Sequence, residues 1–145
     1  LASDFGVAST IYSCPSFNEL RRDGVDVERH NRLHPLAEPR VSYVSQVLAG
    51  SRGPAVAATD YVRAYAEQIR PYLPHGMRYS VLGTDGFGRS DTRANLRRFF
   101  EVDRYQIAVA ALAALADDGV VERKLVADAI AKYGIDADKA NPATV

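Results

Sequence analysis

The chain has a single cysteine, Cys14, and no net charge, with 18 basic against 18 acidic residues. One cysteine excludes an internal disulfide and every multi-cysteine metal site, and it fits a reducing compartment such as the cytoplasm. A balanced charge leaves nothing global to draw the chain to phosphate backbones or anionic lipid, so partners must be found locally. Long apolar runs are also missing: the longest, Ile107 to Ala116, falls short of the roughly 20 residues a membrane helix needs and reads as a buried helix. No basic stretch followed by an apolar core and a small-residue cleavage site opens the sequence. Leu1 to Gly6 resembles the last turn of a helix closed by glycine, which suggests that the chain begins inside an element of something longer.

What is present suffices for a core. At 145 residues, 47% hydrophobic and 25% charged, the composition is that of one ordinary globular domain spanning residues 1–145. Val7 to Cys14 mixes branched and aromatic residues before Pro15 and predicts a first strand. Ser16 to His34 is the most polar stretch; with Gly24 inside it, short helical turns are expected on the surface. Pro35 to Pro54 reads as a connection, with a helical turn over Val41 to Leu48. Ala55 to Ala58 is a candidate buried strand. Thr59 and Asp60 are expected to open a helix whose face is Val62, Tyr65, Ala66 and Ile69 and whose end is Pro71. Arg78 to Leu82 repeats the strand pattern. A glycine-rich turn, Gly83 to Ser90, then leads to a helix with Leu96, Phe99 and Phe100 on one face. Val121 to Tyr133 forms a final amphipathic helix stopped by Gly134, and no pattern extends beyond Asn141. Strands alternating with helices predict an α/β fold with a mainly parallel sheet of three strands, thin enough to suggest that a first strand lies upstream.

Most motifs reduce to structural readings. Gly83 to Ser90 nearly fits a phosphate-binding loop, but Arg89 stands where lysine belongs, and Asp85 and Phe87 sit where small uncharged residues are needed. The dinucleotide pattern fails at Asp91. His30 and His34 have helix-face spacing, but Asn31 replaces the glutamate of a zinc site and His75 is remote. Cys14 lacks a neighbouring histidine and reads as an inert apolar residue at a strand end. No Gly-x-Ser-x-Gly elbow occurs. Arg89, Arg93, Arg97, Arg98 and Arg104 surround one short helix; pairing with carboxylates at a subunit contact fits a neutral chain better than nucleic acid does.

Several segments resemble the far end of the homodimeric pyruvate dehydrogenase family. They are Ser16-Phe17-Asn18-Glu19-Leu20, Leu33-His34-Pro35, Thr59-Asp60-Tyr61, Gly83 to Asp91, and Val126 to Tyr133. The Asp85-Gly86-Phe87-Gly88 turn is shared more loosely with transketolases. The resemblance implies a transketolase-type carboxyl-terminal domain, a mixed sheet wrapped by helices on both faces. Its enzyme would decarboxylate pyruvate with thiamine diphosphate and magnesium and pass the acetyl unit to lipoyl groups of an acyltransferase. The family's cofactor motif, a Gly-Asp-Gly followed by asparagines, is absent, so no catalytic, cofactor-binding or metal-binding residue is carried over to this chain. The implied partners are the rest of the polypeptide, a second copy and the acyltransferase, with neither nucleic acid nor membrane among them. The alternatives are an independent interaction module of the same fold or the end domain of a transketolase-like sugar enzyme. Within the chain, Asp85, Phe87 and Arg89 are the candidate interface: Phe87 is expected to pack against a neighbouring domain or subunit and Arg89 to pair across that contact.

Overall fold

The computed structural model describes all residues, Leu1–Val145. Its regular elements are α1 (Ala2–Phe5), α2 (Phe17–Leu33), α3 (Tyr43–Leu48), β1 (Ala55–Ala58), α4 (Arg63–Glu67), a 3-10 turn (Arg70–Tyr72), β2 (Tyr79–Leu82), α5 (Arg93–Phe99), α6 (Arg104–Asp117) and α7 (Arg123–Lys132). The α/β reading holds, with a sheet of two strands in place of three: β1 and β2 run parallel, Ala55 opposite Tyr79 and Ala58 opposite Leu82.

The sheet seats a core on one face. Tyr79 and Val81 of β2 join Val44 of α3 and Ala66 and Ile69 of the α4 region, with Phe17, Leu20, Ala55, Ala57 and Tyr72 packed around them. Buried Tyr79 is satisfied: its hydroxyl donates to the Ala66 carbonyl at 2.9 Å, and burial pushes its phenol pKa well up. Helix α6 packs on both strands outside that cluster, which places it on the opposite face, and Tyr105 to Ala116 are all buried or half-buried, as an all-round apolar helix requires. Helix α7 lies against α6, with Gly134 in the left-handed conformation at its end (φ 60°). Gly6 closes α1 in the same way at φ 66°.

Four expectations need correction. Within Ser16 to His34, Phe17–Leu33 forms one 17-residue helix, and Gly24 does not break it. Ser16 caps the start by accepting from the Glu19 N–H at 3.2 Å. Gly24 is buried, and a Cβ built there would fall on the ring of Tyr72, so the glycine is a packing notch whose propensity cost is outweighed by the contact. Second, Thr59 caps no helix. Its hydroxyl accepts from the Tyr61 N–H at 3.1 Å, α4 begins only after Val62, and Asp60 turns away to Arg97. Pro71 falls inside the 3-10 turn that follows α4.

Third, Pro35 to Pro54 does more than connect. Ser42 is buried with its hydroxyl donating to the Tyr72 carbonyl at 3.0 Å, and Val44 belongs to the core. Fourth, Val7 to Cys14 is not a strand, and Cys14 is therefore not at a strand end. Residues 8–14 make no backbone hydrogen bond within the chain, and Ile11 is 91% exposed. Branched and aromatic composition favours a pleated surface only where a neighbouring strand supplies one. None is within reach. The outer edge of β1 is open as well: Ala55 and Thr59 donate to β2, and the alternation of a parallel ladder turns the backbone groups of Val56 and Ala58 outward. An open groove of about 1820 Å³ lies between, lined by Tyr12 and Cys14 on one side and β1 on the other.

The notch at Gly24 yields a signed test. Gly24→Ala should lower the unfolding midpoint, because overpacking costs about 1–3 kcal/mol against a helix-propensity gain of about 1 kcal/mol. With Tyr72→Ala present, the same substitution should raise the midpoint. Thermal unfolding followed by circular dichroism reads both, and a stabilising Gly24→Ala in the otherwise unchanged protein would refute the notch.

Candidate interaction site at the carboxyl edge of the sheet

Because β1 and β2 are parallel and in register, the loops that follow them leave from the same edge. Thr59 to Val62 follows β1, and Gly83 to Ser90 follows β2. That edge is where open α/β sheets present functional loops. The two loops are bonded directly: Thr84 donates its N–H to the Tyr61 carbonyl at 2.9 Å and its hydroxyl to the Asp60 carbonyl at 2.9 Å. Gly83 permits the approach, since a Cβ there would lie 2.8 Å from the Arg63 N and the Tyr61 carbonyl oxygen.

The carboxylates of the edge are engaged inside the chain. Asp85 accepts from the Arg63 backbone N–H at 2.8 Å and from its Nε at 2.5 Å. Partial burial pulls the Asp85 pKa up, but the Arg63 bonds and charge together outweigh it and hold the carboxyl below its ordinary value. Asp60 receives both Nε and an Nη of Arg97, at 3.2 and 2.9 Å, with Arg93 at 3.9 Å. The Arg97 hydrogen bond lowers the Asp60 pKa most, with the charges of Arg97 and Arg93 adding to it against partial burial.

Of the three candidate interface residues, Asp85 is thus anchored on Arg63, and Arg89 lies with its guanidinium 3.9 Å over the centroid of Phe99. Phe87 stands between these anchors 76% exposed, and Tyr61 in the neighbouring loop is 70% exposed. The other arginines split: Arg93 and Arg97 converge on Asp60, and Arg104 donates to the Tyr105 hydroxyl at 2.7 Å.

The remaining reactive side chains do not gather. His30 and His34 stack on each other, ring centroids 4.2 Å apart, with His34 Nδ1 2.9 Å from the His30 carbonyl oxygen, and His75 is exposed in a distant turn. Burial raises the Cys14 thiol above its ordinary pKa, so it is held as the thiol. No three His, Cys, Asp or Glu side chains stand close enough to hold a metal ion. No helix is long and apolar enough to cross a membrane. Sequence reasoning missed the Arg63–Asp85 clamp and a second anchor from the tail, where the Pro142 carbonyl oxygen lies 2.5 Å from a Cβ built on Gly86. Neither leaves a local signal, because partners 22 and more residues apart meet only through the sheet.

The model of the transketolase-like carboxyl-terminal domain matches residues 1–103. Among characterised proteins, the chain is 61% identical over 142 residues to the pyruvate dehydrogenase E1 component of Pseudomonas aeruginosa, covering 98% of this chain and 16% of that protein. It is 60% identical over 145 residues to the E1 component of Cupriavidus necator, covering 100% and 16%, and 59% identical over 142 residues to that of Escherichia coli K12, covering 98% and 16%. The chain thus spans about 16% of the length of these relatives. With the family model matched from α1 through β2 and α5, the chain belongs to the family of transketolase-like carboxyl-terminal domains.

Proposed function

We propose that this chain is the carboxyl-terminal domain of a homodimeric pyruvate dehydrogenase E1 component, in which it supports assembly and takes no part in bond making. The enzyme would act in the cytoplasm, decarboxylating pyruvate with thiamine diphosphate and magnesium and handing the acetyl unit to a lipoyl-bearing acyltransferase. The identity of 61% to an E1 component over 98% of the chain carries the family side of this reading.

The state of the carboxyl edge carries the role. Magnesium with a diphosphate needs free carboxylate and amide oxygens, and a donor set already engaged by guanidinium groups does not fit it. Asp60 and Asp85 are both so engaged. Phe87 instead fits a contact. Burying a phenylalanine fully is worth roughly 1.5–3 kcal/mol, and this one is held out between two anchored neighbours. We assign it to the contact with the partner subunit, with Arg89 and Asp85 fixing the loop at its sides. The unpaired Val7 to Cys14 segment and the open edge of β1 support a strand from the rest of the polypeptide lying in the groove between them.

Two measurements test the reading. Isothermal titration of this chain with thiamine diphosphate and magnesium should show no saturable heat; micromolar, magnesium-dependent binding would place part of the cofactor site here. In the full-length enzyme, Phe87→Ala should raise the dimer dissociation constant about tenfold or more, with turnover per dimer little changed. A fully stable dimer whose turnover falls a thousandfold would instead make this loop part of the chemistry.

A further inference from the structure

The stretch beyond Asp138 has no regular element, yet it is held at two points. Lys139 Nζ donates to the Phe99 carbonyl at 2.6 Å and to Glu101 Oε1 at 3.0 Å, and lies 5.2 Å from the Phe99 ring centroid. The Phe99 carbonyl is one of the last-turn acceptors that α5 leaves open, and a cation suits that helix end. Glu101 is the only non-glycine residue with positive φ, 61°, a conformation that persists where its surroundings enforce it. Its carboxylate is one of the groups that Lys139 grips.

Two residues on, the tail makes a turn of its own. Asn141 accepts the Ala143 N–H on its side chain at 2.9 Å and the Thr144 N–H and hydroxyl on its carbonyl, each at 3.0 Å. That turn buries Pro142 and sets its carbonyl oxygen against Gly86, whose φ of 102° and missing Cβ make the seat possible. The aromatic ring that Lys139 approaches is the ring on which Arg89 lies. The tail therefore borders Phe87 from both sides, at Gly86 directly and at Arg89 through Phe99.

We propose that residues 139–145 are a strap that holds the Gly83–Ser90 loop in the conformation presenting Phe87, with Lys139 as its positioning residue. The inference rests on Phe87 being a subunit contact. Loss of the Lys139 anchor frees the Pro142 seat, and the glycine-flanked loop then loses its restraint at Gly86, leaving only the Arg63 clamp on Asp85 and the Thr84 bonds before Phe87.

The experiment uses the full-length enzyme. Lys139→Ala should raise the dimer dissociation constant about fivefold or more, Lys139→Arg should restore most of the loss, and Phe87→Ala combined with Lys139→Ala should be no weaker than Phe87→Ala alone. Native chymotrypsin digestion should cut after Phe87 about tenfold faster in Lys139→Ala. Gly86→Ala, which strains the loop backbone at φ 102° as well as pushing Pro142 away, should do the same and serves as the control for an opened loop. If Phe87→Ala weakens the dimer and Lys139→Ala does not, or the two effects multiply independently, the strap is overturned and the contact stands. If Phe87→Ala leaves the dimer intact, the contact reading fails, and digestion alone judges the strap: an unchanged rate of cutting after Phe87 in Lys139→Ala overturns it. A general rise in cleavage at buried Tyr79 and Phe100 would mark unfolding; in that event Lys139→Met, which keeps the stem and removes the ammonium, judges the strap: faster cutting after Phe87 with Tyr79 and Phe100 still protected supports it, and wild-type cutting after Phe87 overturns it.

Discussion

The parallel pairing of Ala55–Ala58 with Tyr79–Leu82 is the constraint on which the rest of the molecule depends. Four residues a side is a short ladder, and an isolated pair of strands is marginal in water. It stands because both faces are covered, by the Val44, Ala66, Ile69 cluster on one side and by α6 on the other. Parallel direction also decides where chemistry and contacts can gather, since it brings both following loops to one edge. An antiparallel pair would have sent Thr59 and Gly83 to opposite ends.

Charge works in this fold mainly as a set of positional ties. Asp60 with Arg97, Asp85 with Arg63, and Asp118 with Arg78 at 2.8 Å each join segments far apart in sequence. All are substantially exposed, and such pairs contribute about 0–1 kcal/mol at most. Their consequence is geometric: each fixes a loop or strand end that apolar packing alone would leave free to move. The basic appearance of the α5 region is reduced on the same account, because Arg89, Arg93, Arg97 and Arg104 meet a phenyl ring, a shared carboxylate and a phenol within the chain.

The candidate site was half legible. Phe87 could be picked out from its sequence alone, since a large apolar side chain between two glycines in a loop is hard to bury. Its fixers could not. Arg63, Phe99, Lys139 and Pro142 carry no motif, and each reaches the loop only after the sheet and α5 have brought distant segments together. Arg89 has a further contact that no local pattern announces, the face of Phe99 ten residues along the chain.

Local periodicity and capping chemistry determined much: the β1 and β2 segments, the apolar helix α6, the amphipathic α7 with its glycine stop, and the family through its motifs all follow from neighbours in sequence. Tertiary structure alone decided the remainder. Gly24 reads as a helix breaker by propensity, a matter of about 1 kcal/mol, and only the Tyr72 ring lying on it turns the glycine into a requirement. Val7 to Cys14 has the composition of a strand, but a strand is a relation between two segments, and its residues find no partner in this chain. Propensity belongs to the residue; pairing and packing belong to whatever the fold places beside it.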